Sequence, residues 1–229
     1  MTTRVDSSAS SVKLLTAAIF DEDLVMAAAL IAEGVSVHGR DTSGNTPMFI
    51  AAHCGKAKSL PFLALHGVNI DAPIYRDGRR PLYYAADGGH LDAVRALIDL
   101  GAMIDSTDNH GQTPLWTCAF RLAHEALNVP DKALWRTSQS HNPQGHTAVV
   151  EALILAGADV NIRPDTSEHG LGNWSAAKTI RDSGIYRLVD LLEGREFLKP
   201  KRSFWSALFG CQWRRQNVHE GGVKVYQSG

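Results

Sequence analysis

The sequence predicts an all-α chain of paired helices that recur every 33 or 34 residues. Three landmarks, all in phase, carry that prediction. Gly34, Gly67 and Gly101 lie 33 and 34 residues apart, and each closes an apolar stretch: LIAEGVSV, LALHGVNI and LIDLGAMI. Thr46-Pro47, Arg80-Pro81 and Thr113-Pro114 recur at 34 and 33. Ala17-Ala18, Ala51-Ala52 and Ala85-Ala86 recur at 34 and 34. One fixed period near 33 is the mark of a repeat architecture, in which each unit completes its core only against its neighbours.

Each landmark has a physical task. Thr46 and Thr113 are suited to cap a helix, because their hydroxyls accept bonds from N–H groups that have no partner inside the helix. Pro47, Pro81 and Pro114 then take the first helical position, where a missing N–H costs nothing. The Ala-Ala pair keeps this first helix thin enough for close approach. Gly89-His90 and Gly145-His146 turn the chain into a second helix, whose buried stripe includes Leu97-Ile98 and Leu153-Ile154. Gly67, Gly101 and Gly157 end that second helix in the left-handed conformation.

GNTPMFIAAHCGK, GRRPLYYAADGGHLDAVRALIDLGAMID and the split GQTPLW…GHTAVVEALILAGADVN resemble the ankyrin repeat. The resemblance covers about residues 12–193. It implies an all-α ankyrin-repeat solenoid of about five stacked helix pairs joined by β-hairpin fingers, with one repeat carrying a long insertion. In this register residues 1–11 are a disordered start, and 12–38 form an N-capping repeat without Thr-Pro. Residues 39–71 and 72–105 are full repeats, 106–161 the interrupted one, and 162–193 a degenerate last repeat with Ser175-Ala176 in place of Thr-Pro. Degenerate ends suit a stack whose outer faces meet water. Where the family commonly has His after Thr-Pro-Leu, this chain has Phe49, Tyr83 and Trp116, spaced 34 and 33. Packing between repeats accounts for them better than a ligand anchor does.

The interrupted repeat holds about 23 residues more than its neighbours, near 120–144. Phe120, Leu122, Ala123, Ala126 and Leu127 extend the apolar pattern of the first helix beyond its usual turn. Asn128-Val129-Pro130 breaks it, residues 131–136 suit a short helix, and 140–144 a loop. The segment reads as surface elaboration; as a contact it would display Trp135 and Arg136, residue types enriched at interface hot spots. After Glu193 a basic-aromatic tail, 194–229, follows: six basic residues against one acidic as far as Arg215, with Phe204, Trp205, Leu208, Phe209 and Trp213 largely on one helical face. It suits folding back as a cap, docking in a groove, or lying peripherally on an anionic membrane.

Composition narrows the function. With 44% apolar and 21% charged residues the chain is a folded protein. A net charge of −1 gives no field toward nucleic acid. Arg76, Arg79 and Arg80 surround Asp77 and begin no basic stripe, so no nucleic acid is expected as partner. Cys54, Cys118 and Cys211 form no CxxC pair, which fits a reducing compartment and a cytoplasmic location. The Ser/Thr-rich start lacks a Sec-type apolar core, although it also fits a bacterial secretion leader. His124-Glu125 opens like HExxH but has Asn128 at the fifth position, and neither a Walker loop nor a GxSxG elbow occurs. Neither an enzyme nor a metal or cofactor site is expected.

The resemblance implies instead a protein partner, held by a concave face made of fingertips and the open sides of the first helices. Carried over position by position, the contact residues are Arg40, Thr42, Ser43, Asn45, His53 and Cys54, then Arg76, Asp77, Arg79 and Asp87. The interrupted repeat adds Thr107, Asn109, His110, Gln112, Phe120 and Arg121, with Trp135 from the insertion. The expected activity is that of a monomeric adaptor, effector or inhibitor-type binder, the alternative being an adaptor recruited to a membrane or scaffold by its tail.

Overall fold

A computed structural model describes residues 9–74, 77–126, 143–164, 175–182, 188, 189 and 192 of the 229. All of them lie in the unit Met1–Arg195. The stretches 1–8, 127–142 and 193–229, and with them most of the insertion and the whole tail, fall outside the described residues.

Nine helices occur among the described residues, and no strand. They are α1 (Ala9–Phe20), α2 (Leu24–Ala32), α3 (Pro47–His53), α4 (Ser59–Leu65), α5 (Pro81–Asp87), α6 (Leu91–Asp99), α7 (Pro114–Ala126), α8 (Pro143–Leu155) and α9 (Ala176–Asp182). α1, α3, α5, α7 and α9 pack in that order as one layer, and α4, α6 and α8 form a second. Each of α1, α3, α5 and α7 also packs on the helix that follows it. One continuous core runs between the layers from Val12 to Leu188. α1 begins three residues ahead of the expected Val12, and α7 extends to Ala126 as the apolar pattern past Trp116 predicts.

Helix starts and stops follow the chemistry read from sequence. Thr46 is extended (φ −93°, ψ 156°), and its hydroxyl accepts from the Phe49 N–H at 3.1 Å. Thr113 does the same for Trp116 at 3.1 Å. Arg80 occupies the equivalent position before α5 without a side-chain cap. Gly101 has φ 86°, and the Ala102 N–H reaches back to the Leu97 carbonyl at 2.9 Å, so a left-handed residue closes the last turn.

Successive helix pairs are also tied by polar bonds that no local pattern announces. The carbonyls of Ile19, His53 and Asp87, spaced 34 and 34, are C-terminal carbonyls of α1, α3 and α5 that lack partners within their helices. Each receives a side-chain donor from the next pair: Ser59 Oγ at 3.1 Å, His90 Nε2 at 2.9 Å and His146 Nε2 at 3.0 Å. A carbonyl only accepts, so Nε2 carries the proton in both rings. Gly89 makes the expected turn before α6, but α8 begins at Pro143, so Gly145 and His146 lie within the helix and not in the expected turn; both histidines nevertheless do more than mark a helix start. Their imidazoles finish the preceding first helix, and His146 is fully buried in doing so. On the other edge the Asp71 carboxylate accepts from the Met103 N–H at 3.0 Å, and that of Asp105 from the Asp159 N–H at 3.0 Å. The second bond spans 54 residues where the first spans 32.

Candidate functional site

Among the described residues the fingers are turns closed by backbone bonds, with no paired strands. In 41–45 the Asp41 N–H donates to the Asn45 carbonyl at 2.9 Å, while the Asp41 carboxylate accepts from Ser43 and Asn45 N–H groups at 2.8 and 2.9 Å. The same device recurs in 108–112, where Asp108 accepts from His110 and Gln112, both at 2.9 Å. A carboxylate bonding the backbone two residues ahead is what makes Asp a turn former. The middle finger closes from Ile74 to Arg79 at 3.0 Å, one residue wider, with Asp77 accepting from the Arg79 N–H at 3.1 Å.

Neighbouring fingers are bonded into a row. Arg40 Nη2 donates to the Ile74 carbonyl at 2.8 Å, and Nη1 to the Gly44 carbonyl of its own finger at 2.8 Å. The Asn109 N–H donates to the Asp77 carbonyl at 2.9 Å. Arg79 Nε lies 3.3 Å from Asp108 Oδ2, and its guanidinium covers the Tyr83 ring at 4.7 Å. The Tyr83 hydroxyl donates to Gln112 Oε1 at 3.1 Å.

The first helices beside the fingers present aromatic rings. Phe49 stacks on His53 with centroids 5.0 Å apart, and meets Tyr84 edge-on at 5.1 Å. Trp116 stacks on Phe120 at 5.0 Å. Tyr83 and Trp116 are buried and Phe49 is half-buried, so the first two serve packing, as expected. Burial holds the His53 and His90 rings below the usual imidazole range, which keeps them neutral at pH 7. It pushes the Cys54 thiol up, away from the reactive thiolate.

This geometry sorts the candidate contacts into groups. Thr42, Ser43, Thr107 and Asn109 are exposed at the fingertips; Asn45, His53, Cys54, His110, Gln112 and Phe120 are half-buried beside them. The charged candidates are engaged within the stack. Arg40 holds two carbonyls, Arg79 sits between Asp77 and Asp108, and Arg121 Nε pairs with Asp87 Oδ1, both largely shielded from water. Arg76 and Trp135 lie outside the described residues. The residues that sequence reasoning missed are Asp41 and Asp108, which shape the tips, and His90 and His146, which lock the helices behind them. A recurring Asp-x-x-Gly at 41–44 and 108–111 was the available signal for the first two.

Among the described residues no group of three His, Cys, Asp or Glu stands close enough to hold a metal ion, and no helix is long and apolar enough to cross a membrane. Comparison with known proteins agrees with this architecture. A family model described as ankyrin repeats (3 copies) matches residues 66–129. SH3 and multiple ankyrin repeat domains protein 1 of Homo sapiens is 32% identical over 133 residues, 52% of this chain and 6% of its own length. Protein 2 of that name, also of Homo sapiens, is 29% identical over 131 residues, 52% of this chain and 7% of its own. An ankyrin repeat protein of fowlpox virus is 29% identical over 105 residues, 46% of this chain and 16% of its own. The chain therefore matches only a small part of each relative. Periodicity, caps, helix order and these matches agree on one architecture, an all-α solenoid of ankyrin repeats.

Proposed function

We propose that this chain is a non-catalytic protein-binding module, an adaptor, effector or inhibitor-type binder, and that it grips its partner with the finger side of the stack. Ankyrin repeats are protein–protein interaction modules, which supports the general reading. The finer reading rests on one observation. The fingers are bonded to each other, Asn109 by its own N–H, and Thr42, Ser43, Thr107 and Asn109 are exposed on that row. A pre-ordered row loses little entropy when a partner docks. Recognition then runs through hydroxyls, amides and the edges of Phe49, His53 and Phe120, since the arginines beside them already hold internal acceptors. Such a mixed, moderately polar surface is typical of non-obligate interfaces.

Site-specific photo-crosslinking in the native cell tests this. A photoreactive residue at Thr42 or Asn109 should trap the partner, and one at Lys58 or Asp92, exposed on the second-helix side, should not. Crosslinks from the second set alone would overturn the assignment. Removal of 195–229 with crosslinking at Thr42 unchanged would set aside recruitment by the tail as the alternative.

A further inference from the structure

The first helix pair carries interior-type residues on a face that the α3–α4, α5–α6 and α7–α8 pairs bury. Leu14 occupies the position of Met48, Leu82 and Leu115, at steps of 34, 34 and 33; those three are buried, and Leu14 is 61% exposed. Met26, eight residues before Gly34, matches Ser59, Ala93 and Val149, eight before their own glycines; all three are fully buried, and Met26 is 52% exposed. Ala17 is exposed where Ala51, Ala85 and Cys118 are fully buried. A terminal repeat needs a polar outer face for solubility. The first described pair instead meets water with the residues of a stacking face, and Val25 beside them is 83% exposed.

The rim of this face is self-complementary. Lys13, Ala17 and Asp21 lie one helical turn apart on the exposed side of α1, the Asp21 N–H continuing the helix by a 2.9 Å bond to the Ala17 carbonyl. Lys13 and Asp21 thus stand four residues either side of Ala17, with opposite charge. When two such helices cross antiparallel at Ala17, Lys13 of each meets Asp21 of the other. Phe20 is turned to the next pair, with Lys56 Nζ 4.2 Å over its ring.

We propose that this face is a self-association surface, on which a second copy of the chain packs about a twofold axis through Ala17. The small side chain at the axis permits close helix contact, and the isologous arrangement satisfies both charges at once. Two helices of this length span about 18 Å by about 20 Å, at the small end of specific interfaces, so the dimer is concentration-dependent. The surface lies at the end of the stack and does not involve the fingertips, which stay available in both copies. Self-association departs from the monomer expected from sequence.

Sedimentation of the full chain over a micromolar concentration series tests the proposal. The average mass should climb from 24.9 kDa toward twice that value. Leu14→Glu and Met26→Glu should hold it at the lower mass with helical content unchanged and the melting temperature of dilute wild type. Lys13→Glu and Asp21→Lys should each weaken association, and the two together should restore it. A wild-type chain that stays monomeric throughout overturns the proposal, and so does a double charge exchange that fails to restore association. Dimers that survive both glutamate variants overturn it by placing the contact elsewhere. A monomeric wild type whose melting temperature falls on Leu14→Glu also overturns it, because another segment of the same chain would then be covering the face. The charge exchanges keep the test decisive should a glutamate variant not fold.

Discussion

Asp87 is where the stack is tied most heavily. It ends α5, where a carboxylate opposes the helix dipole. Its backbone carbonyl accepts from His146 and its carboxylate pairs with Arg121 of α7, so one residue joins three helices. The two side chains are only 12% and 13% exposed, so removing one partner strands the other away from water. Breaking a buried pair this way costs roughly 3–5 kcal/mol, and the remaining exposure lowers that to about 2–3 kcal/mol for Arg121→Met. Against a typical total of about 5–15 kcal/mol, that is a large fraction. Urea unfolding followed by helix circular dichroism measures it, as a fall in midpoint at nearly constant slope. The same substitution combined with Asp87→Leu should recover most of the loss, since two apolar groups leave no stranded charge. A double-mutant cycle should therefore give a coupling of at least about 1 kcal/mol. Single variants within about 0.5 kcal/mol of wild type, the range of ordinary surface substitutions, would refute the claim that this pair welds the second and third full helix pairs.

Three further outcomes follow from the same bonds. His53 and His90 are held below the ordinary imidazole value of 6.5 by burial, so on acidification the unfolded chain takes up protons before the folded one does. Their contribution is complete above pH 6.5 and is lost as the pH falls through their folded values; a urea midpoint flat between pH 7 and 5 would contradict it. Gly101→Ala should cost about 1–2 kcal/mol from its φ of 86° alone, because nothing lies within 4 Å of the added methyl, and Gly101→Asn should cost less. Thermal melts decide, and an unchanged Gly101→Ala would sink the left-handed cap. In a Cys211→Ser chain, Cys54 should alkylate more slowly at neutral pH than a free thiol, and buried Cys118 only on unfolding. Rapid labelling of either refutes the burial argument.

Much of this architecture was legible because its signals are local and repeated. A Thr hydroxyl reaches an N–H three residues on, a Pro fits only the first turn, and a Gly takes the left-handed close. Each rule acts within a few residues, and three copies in phase raise it above chance. The proposed binding face was legible only as positions. Arg40, Arg79, Asp87 and Arg121 stand where partner contacts are expected, yet what their charges do depends on atoms about 30 residues away. Arg40 finds the Ile74 carbonyl, and Arg121 finds Asp87. The middle finger is one residue wider than its neighbours because its closing bond runs from Ile74, which carries no turn signal.

The amino-acid sequence by itself determined the period, the helix ends and the alternation of first and second helices, since these arise from backbone sterics and short-range hydrogen bonding. The tertiary structure alone decided which polar groups are left for a partner. It turned His90 and His146 into caps on neighbouring helices, and left Leu14 and Met26 facing water on the first pair. Those outcomes depend on which unit stacks on which, and a residue identical in type and register is buried or bare according to whether another pair packs on its face.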